Sequence, residues 1–193
     1  HLEATGDDNN DTAVFKVDVN SATRFMISNY NGDVFQEKTA NTAGVLKAVR
    51  SATIASDGTA ETVFTINNTD ESGNNDAFVH SVYVHFAYTP VGQSSSENSG
   101  GLRVSFINSS ARNVLNHVSS GVVELSEFVS IGTGAGDPYS SVTCTLLQTQ
   151  GTHTTTCHVQ LAPVLTNVQS VDTDVVAYIE LVYAKCVSRP TIT

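Results

Sequence analysis

Ala-Val-Phe-Lys-Val-Asp-Val, residues 13–19, is the stretch that decides the fold class. In an extended chain Phe15 and Val17 lie on one side, and Lys16 and Asp18 lie on the other. Strict alternation of apolar and polar residues is the pattern of a half-buried β-strand. The stretch therefore predicts a strand with one face on a core and one face in water.

Eight further runs have a similar short, β-rich pattern, and most are separated by clusters of Asn, Gly, Ser and Asp. Many short strands with turn signals between them are typical of antiparallel sandwiches and jelly rolls. We therefore predict an all-β fold, a single antiparallel β-sandwich that is jelly-roll-like and has about nine strands. The eight further runs are residues 24–28, 62–67, 77–89, 102–108, 121–129, 141–148, 155–164 and 171–185.

Two segments have a helical spacing instead. Residues 43–51 bring Val45, Leu46 and Val49 to one side of a helix, and residues 110–118 begin with a Ser-Ser capping signal. Each segment predicts one or two helical turns that close an end of the sandwich.

The domain organisation follows from the polar start of the chain. Residues 1–12 are rich in Asp, Asn and Thr and have no apolar alternation. We predict that they form a flexible N-terminal arm and that residues 13–193 form one β-sandwich domain.

Charge excludes one class of partner, and the length of the apolar stretches excludes another. The chain has 193 residues, with 9 Lys+Arg against 19 Asp+Glu and a formal net charge of −10. Nucleic-acid binders gain affinity by neutralising phosphates with clustered basic residues, so we predict no nucleic-acid binding. The longest strongly apolar stretch, residues 175–184, contains Glu180 and is far shorter than the ~20 residues needed to span a bilayer. We therefore predict no membrane insertion.

One hairpin can be predicted in detail. A two-residue turn at Gln150 and Gly151 pairs residues whose numbers sum to 301, so that Cys144 faces Cys157. A disulfide accepts the short separation of directly opposed strand residues. We predict a Cys144–Cys157 disulfide, the alternative being two reduced, buried thiols. Cys186 is left over, either as a free thiol or as a link to another chain.

A calcium site is predicted in an acidic loop. Asp70, Ser72, Asn74 and Asp76 alternate through a Gly-containing segment, and hard cations prefer several oxygen ligands from one flexible loop. The segment lacks the glycine and glutamate positions of an EF-hand loop. Asp and Asn are also ordinary turn formers, so a solvated turn is the alternative reading.

Catalytic chemistry has little support in the sequence. No Gly-x-Ser-x-Gly elbow and no His-x-His pair occurs, and we predict that the protein is not an enzyme. One exception is kept as an alternative. A mature N-terminal histidine such as His1 can bind copper through its amine and ring, as in the histidine brace of lytic polysaccharide monooxygenases.

The surface composition predicts a secreted, extracellular protein. Charged residues make up only 15% of the chain, so Ser, Thr and Asn must supply much of the polar surface. Three N-x-S/T sequons, at Asn10, Asn67 and Asn108, are predicted glycosylation sites.

Two functions fit these features. The first is a structural role as a subunit of a filament, surface coat or capsid-like assembly, a homo-oligomer or polymer joined by strand exchange through the N-terminal segment. The alternative is a module that binds a carbohydrate or a cell-surface receptor with loops 67–76, 92–101 and 132–140.

Overall fold

The chain forms two layers of β-strands. The computed structural model describes residues 2–3, 13–19, 22–28, 32–39, 43–69, 78–92, 99–110, 120–131, 139–150, 154–166, 171–184 and 189–193. Every helix or strand in these ranges is a β-strand. The strands are β1 (Leu2–Glu3), β2 (Ala13–Val19), β3 (Ala22–Ser28), β4 (Val34–Thr39), β5 (Ala43–Ile54), β6 (Glu61–Thr69), β7 (Phe78–Pro90), β8 (Ser99–Ser110), β9 (Ser120–Ile131), β10 (Tyr139–Gln150), β11 (Thr154–Leu165), β12 (Thr173–Ala184) and β13 (Thr191–Ile192).

All strand pairs are antiparallel, and they form two sheets. The nine-stranded sheet has the order β1-β2-β3-β4-β5-β12-β7-β8-β9, and the four-stranded sheet has the order β10-β11-β6-β13. In each layer, a strand from late in the sequence pairs with one from earlier in it: β12 pairs with β5, and β11 pairs with β6. Such pairing is typical of jelly-roll-like sandwiches. The predicted all-β antiparallel β-sandwich is confirmed.

The core lies between the sheets. Strand β12 shows why, because its odd-numbered residues from Val175 to Tyr183 are all buried while the even-numbered ones point outward. Aromatic contacts join the layers: the rings of Phe64 and Phe86 lie 6.3 Å apart, and those of Tyr88 and Tyr139 lie 4.9 Å apart. Burial of these large side chains is the main force that holds the two sheets together.

The prediction of helical turns at residues 43–51 is wrong. This segment belongs to β5, a strand of 12 residues that pairs with β4 and β12. Leu46, Ala48 and Ile54 are buried, whereas Val49 is exposed, which is a period of two and not of 3.6. Pairing on both edges outweighs the modest helix preference of Ala and Leu. The other predicted turn, at residues 110–118, lies almost wholly outside the described residues.

The predicted hairpin exists, but its register is different. Strands β10 and β11 pair residues whose numbers sum to 305, so every partner moves by four positions. An even shift keeps each side chain on its predicted face. The observed register places Leu146 opposite Val159 and Cys144 opposite Leu161, whereas the predicted one would place Leu146 opposite Thr155. Better matching of apolar residues across the strands explains the shift.

This register separates the two cysteines that were predicted to pair. Cys157 lies opposite Gln148, four positions along the strand from Cys144. Both are free thiols, so the predicted disulfide does not form. Burial raises the pKa of Cys144 to about 12, with a contribution from Cys157, and burial raises the pKa of Cys157 to about 11. Neither thiol is a thiolate at neutral pH, so both react slowly there.

The N-terminal part forms one end of the nine-stranded sheet. Strands β2, β3 and β4 follow one another as a meander that joins the sandwich at β5. Of the predicted arm, Leu2 and Glu3 pair with Val17 and Lys16 of β2. Residues 4–12 lie outside the described residues, and the arm remains a prediction.

Candidate functional site

The outer face of the nine-stranded sheet has a patch of exposed apolar side chains. We call it the outer patch. It is centred on β12, which lies between β5 and β7 in this sheet and whose side chains Val176, Tyr178 and Val182 are 48%, 39% and 41% exposed. Neighbouring strands add side chains of similar exposure. The outer patch consists of Val49, Tyr83, Ile107, Val176, Tyr178 and Val182.

Strand register makes this patch continuous. Tyr178 lies opposite Val49 on one side and His85 on the other, and Ser81 separates Val182 from Ile107. The rings of His85 and Tyr178 meet edge to face at 6.0 Å. The patch therefore spans four adjacent strands, β5, β12, β7 and β8.

The charges within the outer patch neutralise each other. Lys47 Nζ lies 3.2 Å from Glu180 Oε2, and both residues share a row with Tyr83. The hydrogen bond and charge of Glu180 raise the pKa of Lys47, which keeps the pair ionised. Asp174, at the end of the patch, accepts a hydrogen bond of 2.6 Å from the Thr53 hydroxyl. This surface is thus apolar with locally balanced charge, although the whole chain is acidic.

A second polar cluster lies on the inner side, where the C-terminal segment crosses the sheet. The Glu37 carboxylate accepts a hydrogen bond of 2.6 Å from the Tyr183 hydroxyl and one of 2.7 Å from Arg189 Nε. The Glu37 side chain is only 1% exposed, and the Arg189 guanidinium stacks over the Phe35 ring at 4.8 Å. Burial alone would lower the pKa of Arg189, but the hydrogen bond and charge of Glu37 outweigh it and raise that pKa.

A second buried ion pair involves Asp33, which lies four residues before Glu37 in the sequence. Arg50 donates from Nη1 and Nη2 to the two carboxylate oxygens of Asp33 at 2.8 and 2.7 Å. Its Nη2 also donates to the Ile192 carbonyl at 2.5 Å. Together with the Glu37 cluster, this pair fixes residues 189–193 against β4 and β5. The two clusters are a structural clamp, because both carboxylates are already bound by arginines and neither is left to act on a ligand.

Hydroxyl groups connect the two sheets elsewhere in the sandwich. Thr173, which is fully buried, contacts the Ser56 hydroxyl at 2.6 Å and the Tyr139 hydroxyl at 3.1 Å. Burial raises the pKa of Tyr88 and that of Tyr139 to about 12. These phenols stay protonated at neutral pH, so they serve packing and hydrogen bonding rather than proton transfer.

The histidines do not form a metal site within the described residues. His80 is completely buried, and burial lowers its pKa to about 3, whereas His85 is exposed on the opposite face of β7. Residues five apart on one strand point to opposite faces, so His80 and His85 cannot bind one ion together. The described part of the chain brings no three His, Cys, Asp or Glu residues together as metal ligands.

One predicted glycosylation site is described with its side chain. Asn67 lies on β6 between β11 and β13, and its amide donates to Thr193 Oγ1 at 3.2 Å and accepts from the Thr156 hydroxyl at 3.0 Å. A glycan on Asn67 would replace these contacts. Asn108 lies in β8. Asn10 is outside the described residues.

The remaining predicted sites also lie outside the described residues. They are the calcium ligands Asp70, Ser72, Asn74 and Asp76, the N-terminal His1, the odd Cys186, and most of the three proposed recognition loops. These sites remain predictions. The described part of the chain includes no helix long and apolar enough to cross a membrane.

Sequence reasoning did not identify the outer patch, although a signal for it exists. Strand β12 contains the apolar doublets Val175-Val176 and Leu181-Val182. In a strand, adjacent residues point to opposite faces, so each doublet places one apolar side chain outward. Doublets on a strand that also has a buried face therefore indicate a second apolar surface.

No family model and no curated protein sequence matches this chain. Two solved structures match part of this chain. The tailspike protein of Acinetobacter baumannii phage AM24 has a TM-score of 0.45 and 14% identity, over 76% of this chain and 28% of that chain. The tailspike protein gp49 from Acinetobacter baumannii bacteriophage Fri1, a capsular polysaccharide depolymerase, has a TM-score of 0.34 and 12% identity, over 79% of this chain and 20% of that one. This chain thus spans about a quarter of their length.

Proposed function

We propose that this protein is a structural subunit that associates with copies of itself through the outer patch. The observation that carries the proposal is the exposure of Val176, Tyr178 and Val182 on β12, a strand paired on both sides within the large sheet. A sheet face that stays in water normally has polar residues at these positions. The proposal assigns no catalytic step to the chain and places it outside the cell.

The character of the patch supports a protein partner. Full burial of one Val side chain contributes roughly 1.5–3 kcal/mol, so several half-exposed residues together supply a useful driving force. Lys47 and Glu180 are already paired, and burying a neutral pair costs less than burying a lone charge. A specific interface needs about 800 Å² from each partner, which a face across four strands can provide.

Light scattering coupled to size-exclusion chromatography tests this proposal. The double variant Val176→Lys/Val182→Lys places two charges at the centre of the patch, and we expect the molar mass to fall relative to wild type at equal concentration. Val19→Lys is the matched control, because Val19 is 49% exposed on β2, away from the patch. A wild-type mass equal to one chain at all concentrations would contradict the proposal, as would an unchanged mass in the double variant.

A second candidate is carbohydrate recognition on the same face. Tyr83, His85 and Tyr178 offer exposed rings there, with the side chains of Arg103 and Glu180 in the adjoining positions. Aromatic rings beside hydrogen-bonding groups are what a sugar site requires. Titration calorimetry with a panel of neutral and acidic polysaccharides, on wild type and Tyr178→Ala, would detect this function. Absence of binding across the panel would remove it.

A further inference from the structure

The edge strands of the two sheets differ in how they are protected. An edge strand has unpaired backbone groups that can join another chain, and natural proteins block this with charges or short covering strands. On one edge of the nine-stranded sheet, β1 covers β2, which also has the ion pair Lys16–Asp18 at 3.0 Å. The opposite edge, β9, includes Glu124 and Glu127.

The four-stranded sheet has one protected edge and one open edge. On the protected edge, β13 pairs with Asn67 and Ile66, and Thr193 continues the backbone pairing to Thr65. On the other edge β10 pairs with β11, and no other described strand pairs with it. The 12 residues of β10 include no charged residue and no proline. β10 is therefore long, neutral and regular from Ser141 to Gln150, which is the kind of edge that accepts another strand.

The side chains of β10 point to the same conclusion. Cys144 and Leu146 face the core but are only half-buried, whereas Val159 and Leu161 on the neighbouring inner strand β11 are fully buried. On the outer side, Leu147 is 49% exposed among threonines. Among the described residues, the core-facing side of β10 is thus less covered than that of β11, and a further strand would cover it more fully.

We propose that β10 of one copy pairs antiparallel with β10 of a second copy, which joins the two four-stranded sheets into one continuous sheet of eight strands. A two-fold axis makes such an interface self-complementary, so every apolar residue must meet an apolar residue of the same strand. The register in which residue numbers sum to 288 does this for the core-facing residues Val142, Cys144 and Leu146, while Leu147 on the outer side lies opposite Ser141. It places Cys144 opposite Cys144 of the second copy, Val142 opposite Leu146, and Thr143 opposite Thr145.

This pairing uses a different surface from the outer patch. It rests on the proposed function only in taking a second copy as the partner. Because β10 lies in one layer and the outer patch on the other, both contacts can form at once and would generate an assembly larger than a dimer. Loss of either contact alone leaves the other in place, so the two proposals can be tested separately.

The first experiment introduces charge at the edge. In Thr143→Lys/Thr145→Lys, each new lysine lies opposite a lysine of the second copy in the proposed register, and like charges at directly opposed positions repel. Gln160→Lys is the control, because Gln160 lies on β11, one strand inward in the same sheet. We expect sedimentation velocity to show a lower mass for the double variant than for wild type and Gln160→Lys.

The second experiment uses the native thiol in the wild-type chain. Directly opposed strand residues have Cα atoms about 4.5–5.5 Å apart, a separation that a disulfide accepts. After prolonged oxidation with copper phenanthroline at alkaline pH, where more of the Cys144 thiol ionises, we expect peptide mass spectrometry to find a Cys144–Cys144 cross-link between two chains, and to find none in Cys144→Ser. This measurement decides the proposal alone if the double lysine variant does not fold.

The outcomes separate the two proposals. The β10 pairing is supported if the edge variant loses mass and the Cys144–Cys144 peptide forms. It is overturned if the peptide does not form or if a folded edge variant keeps the wild-type mass. If Val176→Lys/Val182→Lys keeps the wild-type mass while the edge variant has a lower mass, the outer-patch proposal is contradicted and the edge pairing is supported. If the edge variant keeps the wild-type mass while Val176→Lys/Val182→Lys has a lower mass, the edge pairing is contradicted and the outer-patch proposal is supported.

Discussion

The two faces of β12 both include large apolar side chains, but their surroundings are very different. Its inner residues Ile179 and Leu181 are completely buried between the sheets, whereas Val176 and Val182 on the outer face are nearly half exposed. Each face also has an ion pair nearby, Glu37–Arg189 inside and Glu180–Lys47 outside. The inner face therefore stabilises the single chain, while the outer face is accessible to another molecule.

The largest expected difference concerns the two ion pairs. Glu37→Gln leaves the buried Arg189 without its counter-ion, and breaking a buried pair in this way costs about 3–5 kcal/mol. Glu180→Gln, on the exposed pair, is expected to leave the unfolding midpoint close to wild type. Chemical denaturation of both variants measures the difference. Equal midpoints for the two variants would show that the clamp does not stabilise the fold.

The next difference concerns adjacent apolar residues. Leu181→Ala removes a buried side chain and is expected to lower the free energy of unfolding by about 2–5 kcal/mol. Val182→Ala, one residue further on the exposed face, is expected to change it by about 0.5 kcal/mol or less. Denaturation at low protein concentration keeps association out of the comparison. A large loss in Val182→Ala under these conditions would mean that the outer face also stabilises the single chain.

The smallest difference concerns the two histidines of β7. Burial lowers the pKa of His80 from 6.5 to about 3, so between these values the unfolded chain binds a proton that the folded chain does not. Stability is independent of His80 above pH 6.5 and falls as the pH drops below it, by roughly 1 kcal/mol per pH unit. We expect His80→Gln to flatten this slope and His85→Gln to keep it, in denaturation series from pH 7 to 4. Identical slopes in wild type and His80→Gln would contradict the assignment.

Period-two alternation was enough to identify most of the strands. Residues 13–19 form β2 with the predicted bounds, and the other eight predicted runs all fall on strands of the structure. Alternation works here because half-buried antiparallel strands put one face on the core and one in water. It fails for β5, whose outer face contains Val45 and Val49, so that its apolar residues no longer alternate.

Long-range features were not predictable in the same way. The hairpin register depended on pairing with β6 and the core as well as on the turn, and the local turn signal at Gln150 and Gly151 pointed to a different partner set. The clamp joins Glu37 to Arg189 across 152 positions of sequence. The alternation of Asp33, just before β4, with Phe35 and Glu37 on β4 was visible, but nothing local indicated that arginines from β5 and the C-terminal segment would meet this face.

The position of β12 has a consequence for how the chain folds. β12 lies between β5 and β7 in space but comes after β11 in sequence, so the middle of the large sheet stays open until residues 173–184 have been synthesised. Until then the facing edges of β5 and β7 have no permanent partner, and such edges are prone to mispairing. Contacts between distant parts of a sequence also make folding slow. We therefore expect folding to be completed only after synthesis, with the insertion of β12 as its closing step.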